Sequence, residues 1–192
     1  MSTNRVVSFD DEPLILVDRE DRILGYDSKV NVHLGTGALH RAFSIFLVSD
    51  TGSVLLQQRS REKPLWPLYW TNSCCSHPRK GEERIDAAHR RLREELALDT
   101  DLSFIYQFEY HAPFGAVGSE REMCSVYVGR FPEEVAVDVN PTEVAAWRWL
   151  PFQDVDRLIA DQSSQLTPWF IMEWTSLRQD FADCLLPRRS KT

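Results

Sequence analysis

No stretch of this chain approaches the run of about 20 apolar residues that a membrane-spanning helix needs. There is no internal repeat, low-complexity segment or interdomain linker, so the 192 residues are expected to form one domain. Positive charge is in deficit, with 22 Lys and Arg against 29 Asp and Glu and a net charge of -7. That balance argues against general nucleic-acid binding and against an anionic membrane surface. It leaves room for a small anionic substrate, because a local cluster of cations can oppose the global sign. Cysteine is sparse, and of the four present Cys74 and Cys75 are adjacent, a poor geometry for a disulfide. The opening residues Met1 to Arg5 carry no apolar signal core. A reduced, cytoplasmic setting is the expectation that follows.

What is present centres on Trp70-Thr71-Asn72-Ser73-Cys74-Cys75-Ser76-His77-Pro78. A thiol can give or take a proton, and a histidine can carry a proton or bind a metal. Aromatic residues Trp66, Tyr69 and Trp70 lead into the stretch, as they would into a dry pocket. Two small buried cysteines in a tight turn is the plainer alternative.

Leu14 to Val17 and Arg22 to Tyr26 read as a hairpin. Residues 1–12 ahead of it read as a flexible segment. Lys29 to Arg41 reads as a loop, because Gly35 and Gly37 oppose a continuous helix. That loop can fold His33 and His40 toward each other, or leave both on the surface. Ala42 to Ser49 and Val54 to Gln58 read as a second hairpin, with the first run central in a sheet. It delivers Arg59, and Arg61 and Lys63 follow, either as a solvated loop or as an anion site.

From Glu82 to Leu98, Ile85, Ala88, Leu92 and Leu96 recur at helical spacing and define one buried stripe. Glu95 lies at the border of that stripe, with Arg91 one turn earlier and placed to pair with it. Leu102 to Ala112 and Glu120 to Phe131 read as strands. On the second, Glu120, Glu122 and Cys124 share a face with Val126 and Val128. Two carboxylates on an inward face need compensation, which a divalent metal with histidine partners would supply. Glu143 to Leu150 reads as a strand and Phe152 to Ala160 as a helix. Thr167 and Pro168 read as N-cap and first turn of a helix running to about Leu185. The tail 187–192 reads as basic and frayed.

His33, His40, His77, Glu120 and Glu122 thus form a possible N/O ligand set, suited to Zn, Mn or Mg. Lys29, Arg59, Lys63 and Arg91 form a possible phosphate or diphosphate clamp, and Glu95 could hold a metal on that diphosphate. In these segments the chain resembles the type I isopentenyl-diphosphate isomerase family of the Nudix superfamily. The resemblance runs from about Leu14 to about Leu185 and rests on three ordered motifs. They are His33 to Phe43, Trp70 to Pro78, and Glu120-Arg121-Glu122-Met123-Cys124. The Nudix box G-x5-E-x7-R-E-U-x-E-E-x-G-U falls on Ser76 to Leu98, with departures at Ser76, Arg91 and Ala97. Arg91 stands where the hydrolases carry a metal-binding carboxylate.

The resemblance implies an α+β fold, with a mixed Nudix-like β-sheet between helices in a single domain over residues 13–186. It implies interconversion of isopentenyl and dimethylallyl diphosphate. Cys75 and Glu122 would be the proton-transfer pair, Tyr110 would relay or orient the Glu122 proton, and Trp169 would face the reacting carbons. Mg2+ on the diphosphate would be held by Glu95 and the Cys75 carbonyl. A second divalent ion (Mn2+, Mg2+ or Zn2+) would occupy the His/Glu set. The partner is then a small prenyl diphosphate, without nucleic acid or membrane span, and the chain a monomer or weak dimer. The alternatives are a Nudix pyrophosphohydrolase, a terpene cyclase acting on a longer prenyl chain, and a non-catalytic binding domain.

Overall fold

The computed structural model describes residues 5–186. The expected frayed tail 187–192 lies outside the described residues, as do residues 1–4. Strand β3, His40–Ser49, is the spine. One edge pairs in parallel with β8, Gly118–Phe131, over the whole length of β3. Its other edge is shared by three partners in succession: β1 (Pro13–Val17) at His40, β6 (Cys74–Ser76) at residues 43–45, and β4 (Ser53–Arg59) at Val48. Outer strands complete the mixed sheet. β2 (Ile23–Ser28) lies beside β1, β7 (Leu102–Phe114) beside β8, and β5 (Trp70–Thr71) and β9 (Val144–Pro151) both flank β4.

Both faces of β3 are apolar because both are covered. Phe43, Ile45 and Leu47 pack with Leu92 and Leu96 of helix α2, Arg84–Leu96. Ala42, Phe46 and Val48 pack with Phe152 and Val155 of α3 (Phe152–Gln162) and with Phe170, Trp174 and Leu177 of α4 (Pro168–Gln179). The sheet is therefore sandwiched between helices, as an α+β reading requires.

Several local readings change. The 29–41 loop contains a short helix, α1, Lys29–His33, with the Ser28 hydroxyl accepting from Asn31 N–H. It ends before Gly35 and Gly37, whose φ values of +59° and +70° need glycine. The β3–β4 hairpin is joined through one residue pair only, Val48 with Val54. Beyond it the strands diverge, and the segment 70–76 fills the gap. Ser73 is the wedge: its hydroxyl donates to Leu55 C=O at 2.6 Å and accepts from Leu47 N–H at 2.8 Å. Thr167 caps α4 by backbone position, but its hydroxyl donates to Thr71 Oγ1 at 2.8 Å instead of accepting from the helix. Helix α4 stops at Gln179 rather than near Leu185, and a 3-10 turn follows at Ala182–Leu185. Phe181 leaves the helical path where its ring stacks on Tyr106, centroids 4.7 Å apart. In the segment read as flexible, residues 5–12 are tied down. Val7 is buried, its carbonyl accepts from Arg79 and Arg91, and Asn140 donates to Arg5 C=O.

Two predictions follow from buried polar groups. Ser73→Ala would strand an N–H and a C=O between diverging strands, and is expected to lower unfolding free energy in urea by about 1–3 kcal/mol. Glu173, fully buried on α4, contacts Cys124 Sγ at 3.5 Å, and burial pushes its carboxyl up to about 8 despite hydrogen bonds from Ser44 and Cys124. A carboxyl raised from its ordinary value near 4.5 leaves stability intact below that pH. It erodes stability by roughly 1.4 kcal/mol per unit as the pH rises toward 8. Glu173→Gln is accordingly expected to match the parent near pH 4 and exceed it near pH 8 in the same urea titration.

Candidate active site

Register brings the acidic strand and the histidines together. His40 on β3 is paired with Glu122 on β8, and Glu122 is paired in turn with Tyr110 on β7. Strand alternation then puts Glu120 and Glu122 on one face. His33 enters from the end of α1, and His77 lies just past β6. One ligand atom from each of His33, His40, His77, Glu120 and Glu122 lies within 4.8 Å of every other.

The histidines are set up to present bare nitrogens. His33 Nδ1 bonds Lys29 C=O at 2.6 Å and His40 Nδ1 bonds Ala38 C=O at 2.8 Å. A carbonyl only accepts, so each Nδ1 carries a proton, and in the neutral ring that leaves the Nε2 lone pair facing the cluster. His33 Nε2 and Glu120 Oε2 are 2.7 Å apart, yet both are buried without a hydrogen bond, as is His40 Nε2. They are close, misaligned for one another, and aimed at a common centre. Unpartnered buried atoms on His33, His40 and Glu120, beside the His77–Glu122 pair at 3.0 Å, form a donor set that fits a divalent cation.

Without such an ion the protons divide unequally. Burial raises the Glu122 carboxyl well above the usual range, and the neighbouring Glu120 adds to the effect against a hydrogen bond from Tyr110. Glu120 would also be raised by burial, but His33 outweighs that and holds it well below. Burial lowers His40 to about 4, helped by His33, and lowers His77 well below its ordinary value, helped by His40 and His33. Two of the three imidazoles are therefore neutral near pH 7, the form that binds metal.

Beside the cluster lies a cavity of about 290 Å³. Cys75, Tyr110, Glu122 and Trp169 all line it, with Leu65 as an apolar wall. Tyr110 Oη donates to Glu122 Oε2 at 2.7 Å. Trp169 stands edge-on to Trp66 at 5.1 Å and stacks with Tyr110 at 6.1 Å, which fixes its ring. Trp66 itself has φ of 48°, a left-handed conformation costly for a bulky residue. The carbonyls of Leu65 and Trp66 accept from Arg59, whose guanidinium lies 5.4 Å from the Trp169 ring centroid and 4.0 Å from Cys75 Sγ. Burial pushes the Cys75 thiol up to about 12 although Arg59 pulls the other way. Lys29 and Lys63 line the same cavity. Burial, with Lys63 and Arg91 nearby, brings Lys29 down to about 8.

Arg91 and Glu95 do not line this cavity. They lie beneath it, each 2% exposed, in the ion pair that the helix spacing predicts, 2.7 Å between Arg91 Nη2 and Glu95 Oε1. Glu95 Oε2 has one long contact, 3.3 Å from Gln57 Nε2, and so retains lone-pair capacity for a cation. Two buried acids were missed in the sequence reading. Glu143 pairs with Lys63 and Arg91, and Glu173 on α4 lies against Cys124, on the sheet face that also carries Cys75. Neither belongs to a motif, and only the charge of Glu143 at the head of a strand could have marked it.

Gly118 opens β8 where the backbone passes His33. A Cβ there would sit 2.4 Å from the His33 carbonyl oxygen, so His33 would have to move. Gly118→Ala is expected to weaken divalent-metal binding by about 10–100-fold, measured by titration calorimetry, while the circular dichroism spectrum is retained.

Residues 38–170 match the NUDIX domain family. Among solved structures, DR0079 from Deinococcus radiodurans has a TM-score of 0.69 at 20% identity, over 85% of this chain and 98% of that one. The M. smegmatis Nudix hydrolase RenU has a TM-score of 0.60 at 21% identity, over 82% and 98%. At such identities the likeness is one of fold. The curated relatives are nearer. Isopentenyl-diphosphate Delta-isomerase 1 of Photorhabdus laumondii is 40% identical over 91% of this chain and 99% of its own length. The isopentenyl-diphosphate Delta-isomerase of Burkholderia multivorans is 42% identical over 83% and 89%. With that identity spread over nearly the full length of both sequences, and with a Nudix sheet carrying a His/Glu cluster beside a cavity-lining thiol, the chain belongs to the isopentenyl-diphosphate Delta-isomerase family within the Nudix fold.

Proposed function

We propose that this isomerase interconverts isopentenyl and dimethylallyl diphosphate with Cys75 and Glu122 as its proton-transfer pair. The supporting observation is that this thiol and this carboxyl line one partly apolar cavity that also takes in Lys29 and Lys63. Moving the double bond by one carbon adds a proton at the terminal alkene carbon and removes one from the carbon nearer the diphosphate. One member of the pair holds the proton at the start and the other holds one at the end, so the exchange balances without a redox partner. An alkene is a weak base, so the acid must be placed against it and water kept out. Burial among Leu65, Trp66, Tyr110 and Trp169 meets the second need.

Tyr110 fixes one oxygen of Glu122 and leaves the other facing the histidines. Arg59 is the group that favours negative charge on Cys75. Positive charge developing on the substrate needs a neighbour that attracts it without bonding to it. The face of Trp169 serves, at about 2 kcal/mol or more when dry. Lys29, Lys63 and Arg59 receive the diphosphate, and its binding energy closes the site around a small apolar group. A divalent ion, Mn2+, Mg2+ or Zn2+, fits His33, His40, His77, Glu120 and Glu122. Mg2+ at Glu95 and the Cys75 carbonyl would neutralise the diphosphate. When bound, these ions supply positive charge that fixes Glu122 and the substrate's anionic end. No helix among the described residues is long and apolar enough to cross a membrane, and all four cysteines are free thiols. Free thiols suit a reducing, cytoplasmic compartment, and the reading is of a monomer or weak dimer that acts on a small molecule.

Incubation with isopentenyl diphosphate in heavy water is expected to place deuterium in dimethylallyl diphosphate, read by NMR. Cys75→Ala and Glu122→Gln should each lower turnover by at least about 100-fold with the fold intact. Undiminished activity in Cys75→Ala would remove that thiol from the mechanism.

A further inference from the structure

Glu143 has no role in the scheme above, yet it sits among the residues that receive the diphosphate. It immediately precedes β9, where the adjacent Val144 pairs with Arg59. Its carboxylate is 4% exposed and lines the same cavity as Lys29 and Lys63. Oε2 accepts from Lys63 Nζ and, at 2.9 Å, from Arg91 Nη2. Despite burial, Lys63 and Arg91 hold its acidity down to about 2, so it is an anion at any working pH.

The donors of Arg91 are all occupied, and Lys63 already spends one of its three on an anion. A guanidinium has five N–H groups, and Arg91 makes five contacts. Nε bonds Glu95, Nη1 bonds Val7 C=O and Glu94, and Nη2 bonds Glu95 and Glu143. Lys63 is taken by Glu143 and Lys29 by the Ser8 hydroxyl. A phosphate oxygen entering the cavity meets Lys63 where Glu143 already lies against it, and Arg91, outside the lining, has no donor left for it. The partner common to both is a single carboxylate oxygen.

We propose that Glu143 is a built-in stand-in for the substrate's diphosphate, holding Lys63 in place while the site is empty and giving it up when the diphosphate arrives, with Arg91 behind it keeping the carboxylate anchored. This rests on the reading that the cavity's cations receive a diphosphate. Buried cations without a counter-ion would be costly, and Glu143 supplies that counter-ion. In return it competes with every anionic ligand. The exchange favours a ligand with several anionic oxygens over a singly charged one, because only the former replaces the lost carboxylate and adds further contacts. Glu143 is thus a residue that tunes affinity and selectivity, not one that touches the reacting carbons.

The test is binding of inorganic pyrophosphate, in the presence of Mg2+, to the full chain and to Glu143→Gln by titration calorimetry. The variant is expected to bind about tenfold more tightly, as removal of one competing charge allows, and to show a lower KM for isopentenyl diphosphate with no rise in kcat. Structural damage would not produce tighter binding. Equal or weaker binding by the variant, beside clear binding by the parent, overturns the role of Glu143 alone. Absence of pyrophosphate binding by the parent overturns the diphosphate reading as well. A crystal structure of the parent with pyrophosphate provides a measurement that does not depend on the variant folding. Lys63 should then contact phosphate in place of Glu143, and an intact Lys63–Glu143 pair would overturn the proposal.

Discussion

Glu120 and Glu122 share one face of a buried strand, two residues apart. In a dry interior two such carboxylates cannot both stay ionised without nearby positive charge. Much of the surrounding architecture is a response to that constraint. His33 compensates Glu120, Tyr110 and His77 bond the two oxygens of Glu122, and His40 crowds in as a neutral ring with Nε2 unpartnered. The arrangement leaves a deficit of positive charge that a divalent cation can fill. The chemistry proposed for Glu122 depends on the same deficit, because its acidity is set by how the charge is made up.

The sheet exists in a form that can carry this cluster because β3 has an unusual edge. A strand paired with one neighbour along its length would leave no room for a reactive thiol. Here three partners share the edge, and the middle one is the short strand bearing Cys75. Cys75 pairs with Ser44 and Cys74 with Ile45, so the two adjacent thiols fall on opposite faces. Cys74 packs with the α2 side and Cys75 with the α4 side. That alternation explains why one thiol reaches the cavity and its neighbour only fills space.

The cluster was legible in the sequence because its members lie in local patterns: alternation on β8, a histidine two residues past a cysteine pair, a glycine-broken turn between His33 and His40. The helix stripe of α2 was legible for the same reason. The fate of Arg91 was only half legible. Its partner Glu95 is four residues away and was anticipated, whereas Glu143 and Val7 meet it from 52 and 84 residues away. Glu173 meets Cys124 across 49 residues. Side-chain periodicity carries no information about such pairs, which are set by how sheet and helices stack. The same limit hid the docking of residues 5–12, a polar stretch whose contacts run largely through backbone carbonyls. Ala97 shows the converse. It stands at the glycine position of the Nudix box and holds φ of 52° at the C-cap of α2, so the backbone kept the turn after the side chain departed from the pattern. Such a conformation costs about 1 kcal/mol for a residue with a Cβ.

The departure at Arg91 has a further consequence. In the hydrolase box this position holds a carboxylate, and several acids along one helix face can gather metal around a phosphate under attack. Reversing the charge here removes an acid and adds a cation, a shift of two charges in a buried layer. Glu95 and Glu143 absorb that shift by bracketing the guanidinium, at 2.7 and 2.9 Å. The guanidinium is thereby neutralised within that layer, while Glu95, the one box carboxylate on the face that is fully buried, keeps its second oxygen for a cation. Holding a diphosphate intact needs charge that grips oxygen without activating water beside phosphorus. Exchanging an acid for an arginine, with Glu143 before β9 as its second counter-ion, takes one acid out of the set that could activate such a water.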